Sequence, residues 1–221
     1  MKGLFWLKQI ENKYYHLLVV LVIFFFIVPL GLTREMRYLV FPVMFLFSIL
    51  FSLRALEVRM PVFLLVASTG IIAFILTVLF EFFKLSAAGC FLHEVPLLVY
   101  ALFLLMSIVL LISKMFSASK VNTDTIAGGI SVYLLFGFLW TIFYYAIYLF
   151  DQKAFNFPSQ FNASSLFYFS FSTLTTVGFG DIYPVNKLAM SLSNLEAIVG
   201  QMYIAIFISR LVGLHISTTK K

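Results

Sequence analysis

Apolar blocks of about twenty residues, divided by short polar punctuation, decide what this chain can fold into. A helix needs roughly 20 apolar residues to cross a hydrocarbon core of about 30 Å, and the stretches 14–32, 61–83, 126–150 and 188–214 come close to that length or exceed it. Shorter apolar runs lie at 38–53 and 96–112. The chain is 62% hydrophobic and only 11% charged, whereas a soluble domain is roughly half apolar and one quarter charged. Continuous apolar blocks point to helices, because the strands of a membrane barrel alternate apolar and polar residues over about 10 positions. The fold class is therefore an all-α, multi-pass integral membrane protein with six transmembrane helices.

The net charge of +6 raises the question of a nucleic-acid partner. The Lys and Arg residues lie at the ends of apolar blocks, never in a patch with interleaved aromatics, so they read as topology signals and headgroup contacts. Six spans put both termini on one side of the membrane. On that side fall Lys2, Lys8, Lys13, Arg54, Arg59, Lys114, Lys120, Arg210, Lys220 and Lys221, against Arg34, Arg37, Lys84, Lys153 and Lys187 on the other. The positive-inside rule then places the termini in the cytoplasm and the protein in the cell membrane. The first apolar run is long for a signal peptide and has no small-residue cleavage pattern after it, so it is expected to remain as span one.

Between the first four spans lie polar connections, with a small-residue step at Ser68, Thr69 and Gly70 suited to close helix approach. Pro96 is expected in the first turn of span four, where its missing N–H has no partner to lose. In the linker that follows, Asp124 or Thr125 is positioned to cap span five. Cys90 is the only cysteine, which excludes an internal disulfide and reads as a small apolar residue. His16, His93 and His215 show no metal-ligand spacing. Asn162 to Ser164 forms a glycosylation sequon, relevant only in a eukaryotic secretory route. No nucleotide fingerprint, nucleophile elbow or paired-carboxylate site is visible, so the chain reads as a non-enzyme without a cofactor.

The run at 164–174 is too short to cross a bilayer and leads directly into the Gly-containing loop TTVGFGD, residues 175–181. Non-helical backbone at membrane depth is tolerated only where protein buries it or water lines it. A half-helix and loop between two full spans therefore predict a re-entrant element beside a pore, entering from the outside. For successive carbonyls to face one axis, alternate residues must leave the usual backbone regions, and Gly178 and Gly180 take φ > 0 without a Cβ clash.

TTVGFGD with its preceding half-helix closely resembles the signature of potassium channels, and the stretch from about Asp124 to Leu214 is similar to bacterial six-span members of the tetrameric ion-transport pore family. The resemblance implies a homotetrameric pore in which Thr175, Thr176, Val177, Gly178, Phe179, Gly180 and Asp181 form the selectivity filter. It implies that permeant K+ is bound by the carbonyls of Thr176, Val177, Gly178 and Phe179 and by the Thr176 hydroxyl. Asp181 would add a ring of negative charge at the outer lip. Phe179 stands where many members have tyrosine, which removes a hydroxyl able to tie the filter to its surroundings. Tyr168 and Phe169 occupy the region of the aromatic cuff, and Ser172 lies four residues before Thr176.

The resemblance also assigns Gly200, 19 residues after Asp181, as the hinge of span six, although a mid-helix glycine equally suits close packing. Gln201, Ile204, Ile208 and Val212 would line the inner cavity, with Ile208 or Val212 as an apolar gate. Glu196 is the one acid within span six, and an ionisable residue at that depth is a functional candidate. Helical geometry places it about 140° from Gln201, facing the half-helix or span five. There it would either hydrogen-bond behind the filter or bind ions.

Spans one to four occupy the position of a voltage sensor, but span four carries no basic residue at every third position, so strong voltage gating is not expected. The division is a four-span region at 1–113, a linker at 114–125, a pore domain at 126–214 and a short cytoplasmic tail at 215–221. A weakly selective cation channel, a potassium transporter and a non-conducting scaffold remain as alternatives; a transporter usually repeats the half-helix and Gly loop within one chain.

Overall fold

The computed structural model describes residues 13–30, 90–117, 122–158, 161 and 163–219, with further helical positions at 68, 71, 72 and 75. The expected spans two and three lie otherwise outside the described residues. Five α-helices account for nearly all of the described chain: α1 (Lys13–Ile27), α2 (Cys90–Ser117), α3 (Thr123–Phe150), α4 (Ala163–Leu174) and α5 (Lys187–Thr219). Two short strands, β1 (Phe155–Asn156) and β2 (Tyr183–Pro184), complete it. Among the described residues three helical segments are long and apolar enough to cross a membrane: Leu97–Ser117, Thr123–Phe150 and Lys187–Leu214. The protein is thus predominantly helical, as an all-α membrane protein requires.

Several element ends depart from the sequence-based expectation, each for a local reason. Span one was expected to stay helical through residue 32, but α1 ends at Ile27 and passes into a 3-10 turn at Val28–Leu30. Pro29 offers no N–H and disfavours the α conformation in the residue before it. In α2, Pro96 lies beyond the first turn, because the helix already begins at Cys90; the apolar crossing segment nonetheless starts directly after it, at Leu97. The same helix runs to Ser117, past the expected end at residue 112, because Met115 is buried in the core and holds the last turn against α3. The N-cap of α3 is Asn122, whose Oδ1 accepts from the Thr125 N–H at 2.7 Å and the Thr125 hydroxyl at 2.6 Å, instead of Asp124 or Thr125. The Asp124 carboxylate serves α1 instead, where its Oδ1 accepts from the Tyr14 and Tyr15 N–H groups at 2.8 and 3.1 Å and so caps that helix from across the fold. Finally, α5 continues to Thr219, so the first residues of the expected tail at 215–221 are helical.

Helix α3 is the hub, packing against α1, α2, α4 and α5. On one side, Leu17 and Leu21 of α1 and Leu104, Ile108 and Leu111 of α2 meet Val132, Leu135 and Leu139 of α3 in an apolar core. On the other, Trp140, Tyr144 and Ile147 pack with Phe155, Leu166, Phe169 and Leu174 around the base of α4. Glycines make the close approaches: a Cβ on Gly137 would run into the Phe171 ring, and one on Gly129 into the Phe207 ring. The wet loop expected after Asp151 is tied down. Strands β1 and β2 pair antiparallel, Phe155 with Pro184 and Asn156 with Tyr183, and the Asn186 amide donates to Asp151 Oδ2 at 3.0 Å. Asn186 Oδ1 also accepts from the Ala189 N–H at 2.8 Å, capping α5. The ends of α3 and α5 beside the loop are therefore held at a fixed separation.

Candidate functional site

The loop 175–181 leaves the C-terminal end of α4 and is held to it by its own backbone. Thr175 N–H donates to the Phe171 carbonyl at 3.1 Å, Thr176 N–H to Thr173 at 2.9 Å, and the N–H groups of Val177 and Gly178 share the Ser172 carbonyl at 3.0 and 3.2 Å. Phe179 N–H approaches the Ser172 hydroxyl at 3.4 Å. With these donors turned back toward α4, the opposite side of the strand is left to the carbonyls. Positive φ occurs at every second residue: Thr176 at 59°, Gly178 at 57° and Gly180 at 78°. Alternation of this kind turns successive carbonyls toward a common side instead of opposite ones. The two glycines adopt it freely. Thr176 does so against the Cβ penalty of roughly 1–2 kcal/mol, which its tethering bonds offset.

Around this loop the neighbouring helices supply hydroxyl groups. From α3, the Tyr133 hydroxyl donates to the Leu174 carbonyl at 3.0 Å. Gly200 of α5 lies against that same carbonyl, which a Cβ at position 200 would meet. Gln201 Nε2 donates to the Thr176 hydroxyl at 3.2 Å, joining α5 to the first turn of the loop. On the other side of the loop Tyr168 stacks on Phe179, ring centroids 5.8 Å apart and planes within 12°, and its hydroxyl reaches Asp181 Oδ1 at 3.2 Å.

The residues assigned from the sequence fall as follows. Thr175 through Asp181 are exposed along one edge of the chain. Gln201, Ile204, Ile208 and Val212 are all exposed on α5, along one stripe, as their helical spacing dictates. Gly200 is buried at the α4 contact, and α5 runs through it without a break. Glu196 is fully buried and touches both elements it was expected to face: Tyr144 of α3 donates to Oε2 at 2.5 Å, and Ser170 of α4 lies 2.6 Å from Oε1. Sequence reasoning missed Tyr133, Tyr144 and Ser170. A signal was present for the two tyrosines, which stand eleven residues apart and so on one face of the helix. Hydroxyls in an otherwise apolar span need partners.

A family model described as "Ion channel" matches residues 130–215. That match supports an ion channel family. The matched part takes in most of α3, the whole of α4 and its loop, and α5 as far as residue 215. No curated protein and no solved structure matches the chain. At family level an ion channel is a non-enzymatic membrane protein, in keeping with the apolar helices.

Proposed function

We propose that this chain is the subunit of a potassium-selective channel, a homotetramer in the cell membrane with both termini in the cytoplasm. In it four copies of the loop 175–181 surround one axis, and the carbonyls of Thr176, Val177, Gly178 and Phe179, with the Thr176 hydroxyl, replace the water around K+. The observation that carries this reading is the alternation of positive φ at Thr176, Gly178 and Gly180, combined with N–H groups bonded backward onto α4. A backbone so arranged offers a line of carbonyl oxygens to a cation. One copy presents one wall, so the chain needs partners to enclose an ion.

Below the filter, Gln201 wets the cavity while Ile204, Ile208 and Val212 line it, Ile208 or Val212 closing it when apolar side chains meet. Gly200, where α5 is continuous here, is the hinge at which that helix bends on opening. Conduction is passive, needs no cofactor, and is not strongly gated by voltage.

Flux of K+ into liposomes containing the full chain tests the reading. Gly178→Ala has room for its methyl group, since among the described residues nothing lies within 4 Å of a Cβ there, but must hold φ at +57°. Loss of flux in Gly178→Ala with robust, K+-selective flux in the unsubstituted protein is expected. Equal flux from both overturns the filter assignment, and a reversal potential that follows sodium makes the pore a weakly selective cation channel.

A further inference from the structure

Glu196 is the only acidic or basic side chain in the buried interior of the described residues. Among the described residues its partners are the hydroxyl groups of Tyr144 and Ser170. The Ser170 hydroxyl lies 2.6 Å from Glu196 Oε1 and 2.9 Å from the Gly137 carbonyl oxygen. A hydroxyl has one proton to give, so an acceptor-only carboxylate and the Gly137 carbonyl would compete for it. Both contacts are met together when the carboxyl donates to Ser170, Ser170 donates to Gly137, and Tyr144 donates to the second carboxyl oxygen. The path then reads Tyr144, Glu196, Ser170, Gly137: it leaves α3, crosses α5 and α4, and returns to α3 less than two turns from where it began. A circuit of this kind fixes the mutual position of three helices, which apolar packing in lipid does not do by itself.

Helix α4, the pore helix of the proposed channel, is the element it constrains most directly. Ser170 is two residues from Ser172, whose carbonyl and hydroxyl hold the N–H groups of Val177, Gly178 and Phe179. A displacement of α4 therefore reaches the filter backbone through one short covalent step.

We propose that Glu196 is a positioning residue for ion selection: acting at once as donor and acceptor, it closes a hydrogen-bonded circuit through Tyr144, Ser170 and Gly137 that holds the pore helix in place. The proposal rests on the reading of residues 175–181 as a potassium filter. Its role is one of hydrogen-bond connectivity, and negative charge is not required.

Glutamine has both an N–H donor and a carbonyl acceptor and can take the same place in the circuit, whereas alanine cannot. The test is the K+/Na+ permeability ratio, from bi-ionic reversal potentials of the full-length chain in planar bilayers, together with tetramer survival on gels. Glu196→Gln is expected to keep the ratio of the unsubstituted protein. Tyr144→Phe and Ser170→Ala, which change little volume, each lower it by about tenfold, the scale of one net hydrogen bond to a charged or buried polar group. Glu196→Ala lowers it at least as far; should that variant fail to assemble, the other three decide. Rescue by glutamine distinguishes connectivity from charge and from mere bulk. Glutamine behaving like alanine, or Tyr144→Phe and Ser170→Ala retaining full selectivity, overturns the proposal. An unsubstituted channel that passes sodium as readily as potassium instead removes the filter reading, and the proposal falls with it.

Discussion

The two sides of α3 are built on different principles. Toward α1 and α2 the buried contacts are mainly aliphatic, Leu17, Leu21, Leu104, Ile108 and Leu111 against Val132, Leu135 and Leu139, with Phe24 of α1 edge-on to Phe138, and polar bonds between elements are found at Asp124 and at Arg210, which donates to the Phe116 carbonyl at 2.9 Å. Toward α4 and α5, hydroxyl groups bridge elements at successive levels: Tyr203 to the Gly129 carbonyl at 2.9 Å, Tyr133 to Leu174, and Tyr144 and Ser170 to Glu196. Aliphatic surfaces slide over one another at little cost in a solvent that is itself aliphatic, whereas a hydrogen bond there has a direction and a length. The first side supplies bulk adhesion, and the second sets distances around the loop 175–181.

That contrast can be broken in either direction by substitution. The largest expected effect lies in the aliphatic core: Leu104→Ala leaves a cavity and lowers stability by about 2–5 kcal/mol, read from unfolding in detergent, while the K+/Na+ ratio stays unchanged. A change in ratio there would mean that the two sides are not separable. Next comes Gly200→Ala, where the new methyl meets the Leu174 carbonyl. Overpacking of this sort costs about 1–3 kcal/mol, and because the displaced carbonyl adjoins the loop 175–181, unitary conductance and stability are expected to move together. Tyr133→Phe removes one hydrogen bond to Leu174, a loss of about 1 kcal/mol; single-channel open times should shorten more than the melting curve shifts. Smallest of all is Gly213→Ala. Among the described residues nothing lies within 4 Å of a Cβ at that position, so the helix gains up to about 1 kcal/mol with flux unaltered, and a loss of stability would show that a neighbour covers this face.

What was legible in the sequence was whatever follows from the length of an apolar run, from the helical period or from a special residue. The half-helix and the spans around it follow from run length, the inward direction of Glu196 from 100° per residue, and Gly178 and Gly180 mark the left-handed backbone by having no Cβ. Thr176 carries a Cβ and shares that conformation only because Thr173 and Gln201 hold it from outside the loop. No residue-level preference announces that. The ladder of β1 and β2 is two residues long on each strand and joins positions nearly thirty apart, too short for any alternation to show. Asn122 escaped notice as a cap because Asp124 and Thr125 are equally good by residue type. What decided between them was the arrival of α1, which takes the Asp124 carboxylate for itself.

That last contact bears on how the protein is made. The N–H groups of Tyr14 and Tyr15 are bonded by a side chain 110 and 109 residues later in the chain, yet a helix start has no acceptors of its own. The earliest described helix to leave the ribosome is therefore the one whose end is finished late. Until α3 is in place those two donors lack the Asp124 carboxylate, so the first turn of α1 is completed by tertiary structure and not by its own neighbouring sequence.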